Sequence, residues 1–235
     1  MTNKGVMVIT GASNGVGRAA SLRFATEGYV VCALARNVDR LEALAAEGDG
    51  KIYPYATDVS ESGQVERVFE KILTDHHTID VLINNAGIAV GNQPVDFWMI
   101  DQIIDTNLKG TMYCTFATLP TMRQHRGGQI INIASIAGVD IVPEGSNGLY
   151  TASKHGVVAF SEALGKMVRR DGILVTALCP GAIDTALWNE ENPYPHSRDA
   201  MIRPEEVADL IAYVLAQPSR TLFKNVIFVP TVEQW

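Results

Sequence analysis

Cysteine is scarce in this 235-residue chain: Cys32, Cys114 and Cys179 are the only three, set in apolar surroundings (VVCALA, MYCTF, ALCPG) with no C-x-x-C and no histidine cluster at ligand spacing. Such thiols read as core residues in a reducing compartment, so neither a disulfide framework nor a metal site is expected. Positive charge is short too, with 19 Lys plus Arg against 26 Asp plus Glu and a formal net charge of −7. A nucleic acid partner would call for a basic face, and none is expected here. No apolar run approaches the ~20 residues that cross a bilayer, so a membrane partner is not expected either. The opening MTNKGVMVIT lacks the apolar core and cleavage site of a signal peptide, which predicts a cytoplasmic protein. Internal repeats and low-complexity tracts are absent as well. With 47% hydrophobic and 19% charged residues, the chain is expected to form one domain over residues 1–235.

Short β-rich apolar runs recur at 6–10, 29–35, 51–56, 80–84, 128–134, 173–179 and 225–229. Helix-like segments separate them, over roughly 15–27, 38–47, 61–75, 96–125, 149–170 and 204–216, the last opening on Pro204, which needs no N–H partner at a helix start. Near-continuous apolar strands alternating with amphipathic helices predict an α/β fold, a doubly wound (Rossmann-type) parallel sheet of about seven strands with helices on both faces. Residues 181–203, rich in Pro, Asn and charge, form one long irregular piece that reads either as a substrate lid or as a disordered surface loop.

Three patterns carry chemistry. TGASNGVGRAA follows the first strand, and Gly11, Gly15 and Gly17 allow a tight turn whose succeeding helix aims free N–H groups at an anion, such as a dinucleotide pyrophosphate. At the end of the second strand, ALARN puts Ala35 where an NAD-binding sheet carries an acidic residue, and Arg36 follows it. A guanidinium without a carboxylate favours NADP over NAD, although Asp39 stands nearby and Arg36 can also be read as a solvated charge. Third, LYTASKHG places Tyr150 and Lys154 four residues apart, on one helix face, where an ammonium beside a phenol would favour the phenolate. The bland alternative is a ring packed on a lysine stem.

Taken in order, these motifs make the chain resemble the short-chain dehydrogenase/reductase family, in its compact single-domain branch, over essentially its whole length. TGASNGVG is similar to the family's cofactor turn, with Gly11, Ser13, Asn14, Gly15, Val16 and Gly17; TDVS, with Asp58 and Val59, to its adenine contact; and NNAG, with Asn85, Ala86 and Gly87, to the segment beside the adenosine ribose. The resemblance implies a catalytic set of Asn107, Ser135, Tyr150 and Lys154. It makes Tyr150 the general acid or base and has Ser135 steady the substrate oxygen. Lys154 would lower the tyrosine pKa and hold the nicotinamide ribose, while Asn107 binds a relay water. CPGAIDT supplies Pro180, Gly181, Ile183 and Thr185, the last two implied to fix the nicotinamide carboxamide.

The implied activity is NADP-dependent interconversion of a carbonyl and a secondary alcohol, on a small ketone, a 3-oxo acid or ester, or a hydroxy acid. A homotetramer or homodimer is implied through the two long helices that carry Asn107 and Tyr150. Ser135 and Tyr150 stand 15 positions apart, which suggests a small insertion around Pro143 to Gly148 at the substrate mouth, and the ending FKNVIFVPTVEQW differs from most relatives, with Trp235 read as a subunit contact or a frayed end. A carrier-protein reductase would want basic residues at the mouth; Arg126, Arg169 and Arg170 are offset by Asp171, so a free substrate ranks ahead of 3-oxoacyl-carrier-protein reduction. An epimerase has no room for its substrate domain, and a non-catalytic cofactor sensor would not need all four catalytic residues.

Overall fold

The computed structural model describes residues 4–89, 95–141, 148–190 and 192–233. Most of the expected insertion, Glu191 and Trp235 therefore lie outside the described residues. Seven strands, β1 (Val6–Thr10), β2 (Val30–Ala35), β3 (Ile52–Ala56), β4 (Val81–Asn84), β5 (Gly128–Ile133), β6 (Ile173–Pro180) and β7 (Asn225–Phe228), form one sheet in the order β3-β2-β1-β4-β5-β6-β7. Every neighbouring pair is parallel, as in Val8 opposite Cys32 and Leu82 opposite Ile130.

Parallel neighbours require crossovers, which the helices provide: α1 (Gly15–Glu27), α2 (Val38–Glu47), α3 (Ser62–His76), α4 (Phe97–Ile104), α5 (Gly110–His125), α6 (Leu149–Val168) and α7 (Pro204–Leu215). Alternation along β1 sends Met7 and Ile9 to one face, where α1, α2 and α7 contribute Phe24, Leu44 and Ile211. Val6 and Val8 go to the other, with Phe69 of α3, Met122 of α5 and Leu164 of α6. Both faces are dry, which is why the strands read as unbroken apolar runs.

The expected helix over 96–125 is present with one change. Between α4 and α5, Asp105–Lys109 forms a π-helical turn and centres it on Asn107, so the run continues with one residue more than a regular helix would hold. Pro204 occupies the first turn of α7, and the Glu206 carboxylate accepts from the Arg203 backbone N–H at 2.7 Å. Segment 181–203 is an Ω-like excursion with its ends joined: Ile202 N donates to the Ala182 carbonyl at 3.0 Å and Asp184 N to the Ile202 carbonyl at 2.8 Å.

The chain runs outward from β1 to β3 and then crosses to β4 on the other side of β1. Ligands of doubly wound sheets bind at the carboxyl ends of the strands where that reversal occurs. No helix among the described residues is long and apolar enough to cross a membrane.

Candidate active site

At the switch point the turn after β1 and the loop after β4 are clamped together. Thr10 Oγ1 accepts from the backbone N–H groups of Asn85 and Ala86, both at 3.0 Å, while Asn85 Nδ2 donates to the carbonyls of Thr10 at 3.0 Å and Gly11 at 3.2 Å. The turn itself needs glycine: Gly11 and Gly15 have φ of +65° and +50°, and a Cβ on Gly17 would overlap the Gly11 carbonyl oxygen. Asn14 caps α1 by accepting from Gly15 N at 2.7 Å. The result is a helix N-terminus opening onto a glycine cradle, a geometry that fits a pyrophosphate.

That cradle forms one end of a cleft of about 850 Å³. Gly11, Asn14, Gly15, Val16, Asn85, Ala86, Gly87, Ser135, Tyr150, Lys154, Pro180, Gly181, Ile183 and Thr185 all line it. Gly17 stands behind the turn as a spacer. Ser13 faces instead a shallower depression shared with Asn14, Arg18 and Arg40. Arg36, largely exposed, lies 3.8 Å from the Asp58 carboxylate, which Ser60 N and Ser60 Oγ hold at 3.0 and 2.7 Å. Val59 is buried and packs against Gly110 at the start of α5.

The four expected catalytic residues come from separate elements. Ser135 ends the strand region after β5 and caps a single 3₁₀ turn, accepting from Ala137 N at 3.1 Å. Tyr150 and Lys154 lie one turn apart near the start of α6, with Lys154 Nζ 5.6 Å from the centre of the tyrosine ring. Asn107 is 1% exposed; its Oδ1 accepts from Ile88 N at 2.8 Å, and its Nδ2 donates to Ile88 O at 2.9 Å and Ser153 Oγ at 3.1 Å. The amide thus ties the loop after β4 to α6. A Cβ built on Gly87 would lie 3.4 Å from both Asn107 Oδ1 and Lys154 Nζ, so these two groups converge on the same loop.

Electrostatics departs from the expectation for Tyr150. Burial pushes its phenol above the ordinary value, and a hydrogen bond with Ser135 only partly opposes that rise. The Lys154 ammonium beside it is 4% exposed and donates to the Ile133 carbonyl at 2.9 Å. Burial lowers Lys154 from 10.5 to about 8, with Cys179 acting in the opposite direction. The phenol is therefore held in its protonated form at neutral pH.

The sequence profile described as short chain dehydrogenase matches residues 5–195. The chain belongs to the short-chain dehydrogenase family. Among the relatives of this short-chain dehydrogenase is an uncharacterised oxidoreductase of Staphylococcus aureus (strain MRSA252), 33% identical over 225 residues, or 93% of each chain. A 3-oxoacyl-[acyl-carrier-protein] reductase of Thermotoga maritima is 34% identical over 237 aligned residues, covering 94% of each. The closed form of a serine dehydrogenase complexed with NADP+ superposes with a TM-score of 0.90 at 29% identity, covering 98% of this chain and 96% of the other.

Reading the sequence missed two residues of this short-chain dehydrogenase, one beside the glycine turn and one in the cleft. Arg40 was legible in principle, because it follows Arg36 by four residues and shares a depression with Ser13. Glu233 was not; it lines the cleft from the far end of the chain.

Lys154 gives the first expected outcome. Between its folded value of about 8 and its ordinary 10.5, the unfolded chain binds more protons than the folded one, so stability rises with pH through that window. Relative to Lys154→Met, the wild type should gain on the order of 2 kcal/mol between pH 7 and pH 10 in urea unfolding. An unchanged difference would mean that the ammonium is not desolvated in the folded protein.

Proposed function

We propose that the chain is an NADP-dependent oxidoreductase that interconverts a carbonyl and a secondary alcohol of a small substrate not attached to a carrier. One observation carries this reading: Tyr150 and Ser135 line the same cleft as the glycine cradle. The residues fit a dinucleotide. Gly11, Asn14, Gly15 and Val16 would take the pyrophosphate, and Asp58, Val59 and Asn85–Gly87 would flank the adenosine. Lys154 would hold the nicotinamide ribose, with Pro180, Gly181, Ile183 and Thr185 around the ring. Arg36, at the end of β2, would give a 2′-phosphate its counter-charge, and Arg40 lines a depression with Ser13 and Asn14 at the edge of the glycine turn. When bound, the cofactor supplies or accepts the hydride.

In reduction, Tyr150 donates its phenolic proton to the carbonyl oxygen while Ser135 donates a hydrogen bond to the same atom as negative charge develops there. In oxidation the phenolate takes the proton back. Asn107 acts as a positioning residue, and its Oδ1 retains a second lone pair able to accept from a relay water near Lys154.

Several observations support a free substrate over a carrier-bound one. Arg126 precedes the amino end of β5, and Arg169 and Arg170 precede the amino end of β6, whereas the cleft opens at the carboxyl ends. They stand too far round the sheet to receive an acidic carrier at the mouth. Segment 181–203 supplies Trp188, Asn192 and Tyr194 to the cleft wall, which supports its role as a substrate lid. Phe116 on α5 is 54% exposed and packs on Phe160 of α6 at 6.0 Å between ring centres, an apolar face suited to a second copy of the chain.

Three measurements test this reading. Tyr150→Phe should lose about 10²–10⁴-fold in ketone reduction while NADPH still binds; retained turnover would end the assignment. Arg36→Ala should weaken NADPH binding by about 10- to 100-fold by nicotinamide fluorescence, with little change for NADH. An equal loss for both cofactors would remove Arg36 from the phosphate site. Light scattering at micromolar protein should report a dimer or tetramer that Phe116→Lys converts to monomer.

A further inference from the structure

The charged lining of the cleft is one-sided. Among the described residues it consists of Asp140, Lys154 and Glu233, with His196, Tyr150 and Tyr194 the further titratable groups. Lys154 is buried and already donates to the Ile133 carbonyl. The nearest lid cation, Arg198, is paired with Asp184 and also donates to the carbonyls of Thr185 at 3.2 Å and Trp188 at 3.0 Å. Among the described residues the substrate end of the cleft therefore has carboxylates and no available cation.

Glu233 is the carboxylate that matters most. It is half-buried, and Oε1 accepts from Ala182 N at 3.2 Å and from the Tyr194 hydroxyl at 3.1 Å. Oε2 is buried against Gly181, in the space a Cβ would fill there, and has no hydrogen-bond donor among the described residues. A carboxylate withdrawn from water with one oxygen unsatisfied is strongly favourable toward a nearby positive charge. Beside it, Trp188, Tyr194 and His196 pack edge to face, with ring centres 5.2 and 5.4 Å apart, and all three line the cleft. Aromatic faces attract cations in the same way.

We infer that this cleft selects a substrate carrying an ammonium group, with Glu233 as the specificity-determining charge and the lid aromatics as the wall around it. This rests on the oxidoreductase reading and narrows its substrate: an amino ketone or amino alcohol is taken in preference to an oxo acid or hydroxy acid. Asp140, exposed at the rim, adds charge of the same sign.

The test uses the full-length protein saturated with NADPH and three unreactive ligands of matched length, hexylammonium, hexanol and hexanoate, followed by calorimetry. Hexylammonium should bind about tenfold tighter than hexanol, with hexanoate weakest. Glu233→Gln should abolish the advantage of the amine, whereas Tyr194→Phe, which removes the hydrogen bond and keeps the carboxylate, should preserve it. Hexanoate binding as tightly as hexylammonium, or an amine advantage that survives Glu233→Gln, overturns the inference. Should Glu233→Gln fold poorly, the wild-type series decides alone by the same comparison. Reduction of 2-hexanone by NADPH is measured alongside: no turnover with the amine preference intact counts against the oxidoreductase reading only.

Discussion

Burial of one ammonium group sets the terms for the site. Lys154 is almost wholly removed from water, and the Ile133 carbonyl is the acceptor that makes this tolerable. To reach it, the start of α6 must lie over the carboxyl end of β5, which brings Tyr150 beside Ser135. The loop after β4 must then pass close to the same nitrogen, and the amide of Asn107 holds it there. The positions of phenol, charge and loop are thus consequences of a single packing requirement. Part of the stability the core provides is used to keep that charge desolvated.

The fold was largely legible because both faces of the sheet are dry. A strand buried twice over has no polar side to interrupt its run, and VMVIT coincides with β1 while YVVCALA overshoots β2 by one residue. The glycine turn was legible for a different reason: positive φ and close backbone approach admit few other residues. The π turn was not, since one widened turn leaves the hydrophobic pattern on either side unchanged. Nor did spacing reveal that burial would raise Tyr150 while depressing its lysine neighbour. Residue order gives adjacency, and desolvation depends on what every other element contributes around the pair.

Long-range partners mark the other limit. Glu233 meets Ala182 across 51 residues of sequence, and nothing in PTVEQW signals that its carboxylate lies under the loop after β6. Segment 181–203 was ambiguous for a related reason. Its Pro- and Asn-rich composition suits a loose loop, yet Asn192 donates to the Leu187 carbonyl at 3.0 Å and Ile202 returns to Ala182, so local hydrogen bonds give the segment a definite path. Composition reports how little apolar surface such a segment buries; it says nothing of bonds it makes with itself.

The π turn at Asp105–Lys109 also joins two helical halves without putting them out of phase. A regular turn holds 3.6 residues, and the widened turn takes in the extra one, so α4 and α5 keep their faces in step. The widening falls at Asn107, whose amide reaches the loop after β4 on one side and Ser153 of α6 on the other. Loss of one residue here would narrow the turn to regular width and withdraw that amide while leaving α4 and α5 in step. The reach of one side chain and the framework that carries it are thus separable at this turn.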